Sequence, residues 1–310
     1  MNIEGLSSAE QKKETTKLPL LGSEALLLLT ALIWGLAFVA QREGMRYLDP
    51  FMFTGLRFSL GALTVGVFAL NSNKRKKRLP FPWPLGLVLF LAVSLQQIGL
   101  VYTTAGNAGF ITGLYVVIVP VLGLLRKQRL TKTIIIAALT ALAGLALINL
   151  KQAPAASLGN LLVLICAFFW AVHVHLVDHY AKRYDTFQLA FYQYAFCAGA
   201  GLICGIGFNL IKSPDFLWQS QTYASIGKAA LPLLYSGILS VGVAFTLQVA
   251  GQKKVPPAPA TVILSLESVF ALVGGWIILG EKLTVWTCLG AGLIFAAMLI
   301  STLRAATEQG

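Results

Sequence analysis

Long apolar stretches recur along the chain and are separated by short polar segments. Each stretch has the roughly 20 apolar residues that a helix needs to cross a bilayer core of about 30 Å. The stretch from Ala25 to Trp34 lacks the alternation of polar and apolar residues that is typical of transmembrane barrels. The pattern predicts an all-α integral membrane protein with ten transmembrane helices, at approximately residues 22–41, 51–71, 85–103, 108–125, 133–150, 159–177, 187–211, 229–250, 257–279 and 285–303.

The composition supports a membrane protein. Only 12% of the 310 residues are charged, 57% are hydrophobic, and the mean hydropathy is +0.75. Soluble domains carry about 25% charged residues. These values exclude a soluble enzyme, a disordered chain and a small disulfide scaffold. The net charge of +12 therefore bears on membrane topology, and we expect no nucleic-acid partner.

The basic residues are divided unequally between the two sides that alternating spans define. If the N-terminus is cytoplasmic, 17 Lys and Arg residues fall in cytoplasmic segments and six in outer loops, with Arg57 inside a span. Because cytoplasmic loops are enriched in Lys and Arg, both termini are predicted to be cytoplasmic. The first span is full length and no cleavage site follows it, which excludes a signal peptide. We expect a multi-pass protein of the cell inner (plasma) membrane.

The second half of the chain repeats the first. Shifts of 136 and then 152 residues align Trp34 with Trp170, Asp49 with Asp185, Arg57 with Gln193, Gln96 with Gln248, and Gly99 with Gly251. This predicts two five-helix copies over residues 22–150 and 151–303, between cytoplasmic tails 1–21 and 304–310. Because five is odd, the second copy enters the membrane from the opposite side. Inverted repeats of this kind are typical of secondary transporters.

Several short motifs resemble those of a known family. They are Ala31 to Gly35, Asp49-Pro-Phe51, Leu56-Arg-Phe58, Gly99 to Phe110 and Leu279 to Thr284. Their order in two copies of five helices is similar to the EamA-like family of the drug/metabolite transporter superfamily, over essentially residues 22–303. The resemblance implies a ten-helix permease of the exporter type for small amphipathic metabolites such as amino acids, with a central cavity formed by both copies. The chain departs from the family pattern at Arg126–Thr131 and at Ser268, where many members have proline.

Two ionisable residues within the spans are candidates for transport. A charged side chain at the centre of a transmembrane helix costs on the order of 3 kcal/mol, so each needs a physical reason. Glu267 lies near the middle of the ninth span, where it is a candidate for a substrate amine or a proton. Arg57 lies near the outer end of the second span, as a gate or a carboxylate-binding group. Purely structural roles remain the alternative for both, and a salt bridge between them is left open.

Polar and aromatic residues give further candidates. Gln96 and Gln248 are equivalent in the two copies, and Gln193 is equivalent to Arg57; interhelical hydrogen bonding is the alternative. Trp34, Trp170 and Tyr115 lie deep in spans, where they line a cavity or pack in the core. His173 is a candidate titratable group that faces the cavity.

Metal, cofactor and disulfide chemistry have little support in the sequence. His173 and His175 are two residues apart, so they point about 200° from each other on a helix and cannot share a metal. The four cysteines lie inside spans, and no nucleotide-binding or hydrolase motif occurs. We therefore expect neither a cofactor nor a metal.

The leading hypothesis is a secondary transporter that moves a small molecule across the lipid bilayer by alternating access, driven by the solute gradient or by protons. An intramembrane enzyme that uses His173, His175 and Glu267, and a passive channel, are the alternatives. The substrate, the coupling ion, the direction of transport and the oligomeric state are left open.

Overall fold

A computed structural model describes residues 20–72, 80–103, 105–127, 130–148, 158–279 and 283–307. These residues form helices and short connections, and no strand occurs among them. The basic run 74–78, Lys151, Lys282, residues 1–19 of the N-terminal tail and residues 308–310 of the C-terminal tail lie outside the described residues.

Helices of the described residues overlap the predicted spans. The fourth and ninth are interrupted by a turn, and the eighth contains a π-helix. The bounds are α1 Leu20–Gly44, α2 Pro50–Ser72, α3 Trp83–Tyr102, α4a Ala105–Gly113, α4b Tyr115–Leu125, α5 Lys132–Ile148, α6 Leu158–Ala181, α7 Thr186–Lys212, α8a Ala230–Leu234, a π-helix Tyr235–Phe245, α8b Thr246–Gln252, α9a Pro257–Leu264, α9b Glu267–Leu279 and α10 Val285–Thr307.

Eight helices in the described part of the chain are long and apolar enough to cross a membrane. The segments Lys132–Ile148, in α5, and Val285–Ser301, in α10, are shorter apolar helices. The chain is thus a multi-pass membrane protein. Apolar side chains also cover its outer surface, since Leu70, Leu125, Ile203 and Ile211 each have 74% or more of their area exposed. Such a surface fits contact with lipid.

Equivalent helices of the two copies pack in equivalent ways. α2 packs on α7, and α5 packs on α10, so each of these pairs joins a helix to its own counterpart. α1 packs on α8 and α9, and its counterpart α6 packs on α3 and α4. The packing is therefore unchanged when the copies are exchanged, as expected around a pseudo-twofold axis.

Local signals in the sequence repeat in the same manner. Asp49 accepts hydrogen bonds from the backbone N–H groups of Phe51 and Met52 at 2.9 and 3.0 Å, at the start of α2. Its counterpart Asp185 accepts from Phe187 and Gln188 at 2.9 and 3.3 Å, at the start of α7. Both aspartates thus satisfy free N–H groups at a helix N-terminus.

Glycines permit close contact where helices of the two copies meet. A Cβ atom added to Gly144 of α5 would lie 2.6 Å from the carbonyl oxygen of Gly290 in α10, and one added to Gly290 would lie 2.5 Å from that of Gly144. Gly201 of α7 is similarly close to the backbone of Gly55 in α2. Small residues at such crossings let helix backbones approach in a membrane.

The connection between α7 and α8 is longer than its counterpart in the first copy and has structure of its own. It contains a 3₁₀ turn, Phe216–Trp218, and a short helix, Ser220–Lys228. Hydrogen bonds from Gln219 and Ser213 to the Asp215 carboxylate hold the connection and lower the pKa of Asp215.

Candidate functional site

A small cavity of about 40 Å³ lies between helices of both copies. The structure brings together seven of the nine residues that the sequence nominated. Those that line the cavity are Trp34, Arg57, Gln96, Tyr115, Trp170, Gln248 and Glu267.

Arg57 enters the cavity from α2, about two turns from the start of that helix. Its side chain is buried, and the guanidinium carbon lies 5.2 Å from the ring centre of Phe58 and 5.8 Å from that of Phe53. These distances allow cation–π attraction, which offsets part of the cost of burying the charge. Its Nε atom has no hydrogen-bond partner among the described residues.

Glu267 is the first residue of α9b, directly after an interruption of the ninth helix. At this point the backbone hydrogen bonds span three residues, as in a 3₁₀ turn, instead of four. They run from Leu266 N–H to Ile263 C=O at 3.1 Å and from Ser268 N–H to Ser265 C=O at 3.2 Å. A carboxylate at a helix N-terminus is favoured by the helix dipole. The side chain is 5% exposed, and its Oε1 atom has no partner in the described part of the chain.

Tyr115 occupies the equivalent position of the first copy. The shift of 152 residues aligns it with Glu267, and it is likewise the first residue after an interruption, at Leu114. Backbone hydrogen bonds that span three residues occur here too, from Leu114 N–H to Ile111 C=O at 3.2 Å and from Val117 N–H to Leu114 C=O at 3.0 Å. The Tyr115 hydroxyl is buried without a hydrogen-bond partner among the described residues.

Arg57 and Glu267 do not neutralise each other in this structure. The ion pairs found among the described residues are Glu43 with Arg46 and Asp178 with Lys182. A buried charge needs a counter-charge, a proton or strong hydrogen bonds. The cavity therefore offers a cation and a carboxyl group, each with capacity for a ligand.

The two equivalent glutamines differ in their contacts. Gln96 donates from Nε2 to the Thr112 hydroxyl at 3.3 Å. Gln248 is 1% exposed, and neither atom of its amide has a partner in the described residues. A buried amide without partners is costly, so Gln248 is suited to bind a polar ligand group.

Aromatic rings form one wall of the cavity. The ring centres of Trp34 and Trp170 are 6.0 Å apart, and Phe245 lies 4.6 Å from Trp34 and 5.7 Å from Trp170. The rings contact one another rather than leaving a gap between them. The wall therefore presents a continuous apolar surface.

The other two nominated residues lie behind this wall. His173 and Gln193 hydrogen-bond each other, with 2.9 Å between Nε2 and Oε1, and His173 contacts the Trp170 ring edge to face. Neither is among the residues that line the cavity. His175 points elsewhere and bonds the Val119 carbonyl at 2.9 Å. No group of three or more His, Cys, Asp or Glu side chains that could hold a metal occurs in the described ranges.

Sequence reasoning missed two features of the site. It treated the fourth, eighth and ninth spans as regular helices, whereas the fourth and ninth are interrupted beside the cavity and the eighth contains a π-helix. It also missed Gln41, Ser240 and Phe245 in the lining. The shift of 152 residues, extended to Tyr115 and Glu267, would have pointed to the equivalent interruptions.

Comparison with known proteins identifies the family. The profile of the EamA-like transporter family matches the chain twice, over residues 22–150 and 157–303. The chain belongs to the EamA-like transporter family. It is therefore a membrane transporter with transmembrane helices.

Similar proteins carry only general names. An uncharacterized transporter of Archaeoglobus fulgidus is 30% identical over 90% of this chain and 85% of the relative. The uncharacterized transporter YoaV of Bacillus subtilis is 24% identical over 87% of this chain and 93% of the relative. A solved crystal structure aligns with a TM-score of 0.70 at 19% identity, over 93% of this chain and 99% of that chain, which shows a shared fold.

Proposed function

We propose that this protein is a secondary transporter of small amphipathic metabolites such as amino acids. In this proposal, ten helices span the cell inner (plasma) membrane in two inverted copies, with both termini in the cytoplasm. The cavity between the copies is opened to each side in turn. The observation that carries the proposal is that one cavity holds both a buried Arg57 and a buried Glu267, which do not pair with each other.

These two groups fit the two ends of a zwitterion. The guanidinium of Arg57 presents parallel donors that suit a carboxylate. Glu267, with the Gln248 amide beside the same cavity, suits an ammonium group. The aromatic wall of Trp34, Trp170 and Phe245 offers an apolar surface for a side chain. A zwitterion would thus supply the missing counter-charge to both residues.

Glu267 is also the candidate for proton coupling. When no ammonium group is present, a proton is the simplest way to neutralise a carboxylate that is 5% exposed in the bilayer. Exchange between a proton and a substrate amine at one carboxylate would couple their movements. No cofactor takes part in this scheme.

Transport assays in proteoliposomes test the function. The full chain is reconstituted and offered the 20 radiolabelled amino acids, each with an unlabelled pool of the same compound inside, in the absence of ATP. We expect saturable exchange of at least one zwitterion. Related compounds that lack the amine or the carboxylate should exchange much more slowly. Absence of exchange across the panel contradicts the proposal.

The same assay separates the alternatives. Flux that does not saturate with concentration would indicate a passive channel. Chemical conversion of a lipid-linked substrate, lost in Glu267→Gln, would indicate an intramembrane enzyme.

A further inference from the structure

The eighth helix differs from its counterpart in the first copy. Residues Tyr235–Phe245 form a π-helix, whereas the equivalent part of α3, residues 83–93, lies in a regular α-helix. π-helices are rare, are usually a single turn, and occur often at functional sites. Ser240 and Phe245 of this π-helix line the cavity, so the difference between the copies lies at the site itself.

Three side chains connect the π-helix to α1. Trp34 Nε1 donates to the Ser240 carbonyl at 3.2 Å, and the Tyr235 hydroxyl donates to the Ile33 carbonyl at 3.0 Å. The single hydroxyl proton of Thr30 is shared between the Leu26 carbonyl of α1 at 2.9 Å and the Ala244 carbonyl of the π-helix at 3.1 Å. Each interhelical hydrogen bond in a membrane contributes about 0.6 kcal/mol on average. Together they favour the π-helix where α1 contacts it.

Of these three donor residues, only Trp34 has an identical residue at the equivalent position of the other copy. The counterpart of Trp34 is Trp170, whose buried Nε1 atom has no hydrogen-bond partner among the described residues. The counterpart of Thr30 is Cys166, a weak S–H donor, and that of Tyr235 is Trp83, which has an indole N–H in place of the hydroxyl. The carbonyl that corresponds to Ser240 is that of Val88 in α3, the helix that packs against α6.

The π-helix is also in contact with the residues around Arg57. A Cβ atom added to Gly237 would lie 2.9 Å from the Arg57 carbonyl oxygen, and one added to Gly242 would lie 2.9 Å from the Thr64 side chain. A change in the turns of this helix therefore alters the position of α2, which carries Arg57.

We propose that Trp34 and Trp170 are alternate donors that select between the two orientations of the transporter. In the structure described, Trp34 binds the Ser240 carbonyl and the eighth helix is a π-helix. In the opposite orientation, the copies exchange their local conformations: Trp34 releases Ser240, Trp170 donates to the Val88 carbonyl, and α3 takes the widened turn. This inference rests on the alternating access of the proposed function.

The weak S–H donor at Cys166, in place of the Thr30 hydroxyl, gives the two orientations unequal support. Thr30 and Tyr235 stabilise only the orientation described here. Removing either hydroxyl should therefore shift the protein toward the opposite orientation, in the same direction as removing the Trp34 donor.

Cysteine labelling measures this equilibrium without a substrate. Gln41→Cys places a reporter in the cavity lining near the end of α1, and Val177→Cys places one at the equivalent position of α6. Both positions are buried here, at 6% and 0% exposed. Each is made in the full chain in nanodiscs, where a membrane-impermeant maleimide reaches both faces. The protein without an added cysteine, whose own four cysteines lie in spans, gives the background labelling rate. The ratio of the two labelling rates reports the orientation.

The variants are matched across the two copies. Trp34→Phe should raise labelling at position 177 relative to position 41 by about threefold, the equivalent of one interhelical hydrogen bond. Trp170→Phe should lower the same ratio by about threefold. Thr30→Val and Tyr235→Phe should act in the direction of Trp34→Phe.

An unchanged ratio, or a shift of Trp34→Phe and Trp170→Phe in the same direction, would overturn the proposal. A general loss of folding raises both labelling rates in both tryptophan variants, and this too counts against it. Because labelling needs no cargo, failure here is distinct from failure of the transport assay.

Discussion

The fourth and ninth helices have equivalent backbone interruptions but different side chains at them. Both are interrupted at equivalent positions, and in both the first residue after the interruption lines the cavity. The first copy places Tyr115 there and the second copy places Glu267. The duplication thus supplies the same interruption of the helix twice, and one copy alone carries a carboxyl group on it.

In the second helices of the two copies, by contrast, the first copy carries the charged residue. Arg57 of the first copy lines the cavity, whereas its counterpart Gln193 lies behind the wall and bonds His173. The cation therefore comes from one copy and the carboxyl group from the other. A symmetric scaffold with one charge from each copy is able to orient a zwitterion, which two identical copies would not do.

Glu267→Gln should have the largest effect, because it makes the ninth helix as neutral as the fourth. We expect loss of exchange by about a hundredfold, as a charged hydrogen bond to the substrate is lost, and loss of proton-driven accumulation. Flux in proteoliposomes is the measurement. Glu24→Gln, the same change in α1 outside the cavity lining, is the control and should retain flux. Equal flux in the two variants would make Glu267 structural.

Arg57→Gln gives the second helix the residue of its counterpart. We expect the KM for a zwitterion to rise by about ten- to a hundredfold, because the carboxylate loses a charged partner. Arg46→Gln, on the surface beside Glu43, is the matched control. An unchanged KM with a lower protein stability would assign Arg57 to packing.

Gly144→Ala and Gly290→Ala test the part of the molecule where the copies are alike. Each added methyl group meets a carbonyl oxygen of the opposite helix, so we expect both to destabilise the protein by about 1–3 kcal/mol. Thermal unfolding in detergent measures this. Gly292→Ala, where an added Cβ meets nothing within 4 Å, should not destabilise. Clearly unequal effects at positions 144 and 290 would argue against equivalent packing.

Tyr115→Phe should have the smallest effect. The variant removes a hydroxyl that has no hydrogen-bond partner among the described residues, so any loss of flux reports a bond to the substrate. At the average for polar contacts in membranes, that bond is worth about threefold in flux. Thermal stability should be unchanged, because no protein hydrogen bond is lost. A loss of flux as large as that of Glu267→Gln would mean that the copies contribute equally.

Much of the fold and of the site was predictable from the sequence. The eight helices that are long and apolar enough to cross a membrane lie where apolar stretches predict them, and Asp49 and Asp185 mark the starts of equivalent helices. Seven of the nine nominated residues line one cavity, because ionisable and paired polar residues in apolar spans rarely face lipid. Their roles in transport stay predictions. The topology and the inverted orientation of the copies also stay predictions.

What the sequence did not predict depends on contacts between distant helices. Gln193 and Arg57 are equivalent in the repeat, yet only the packing of α6 against α7 places His173 within 2.9 Å of Gln193. The π-helix has a sequence as apolar as that of α3. Its carbonyl groups accept hydrogen bonds from Thr30 and Trp34, which are more than 200 residues away in the chain.

The sequence by itself determined the class of protein, the helical segments, the duplication and the residues that are costly to bury, because these follow from the transfer of side chains and backbone into lipid. The tertiary structure decided which of those residues share a cavity, which find partners, and where helices are interrupted. Those outcomes depend on hydrogen bonds and ring contacts between helices, whose energies exist only once the helices have packed.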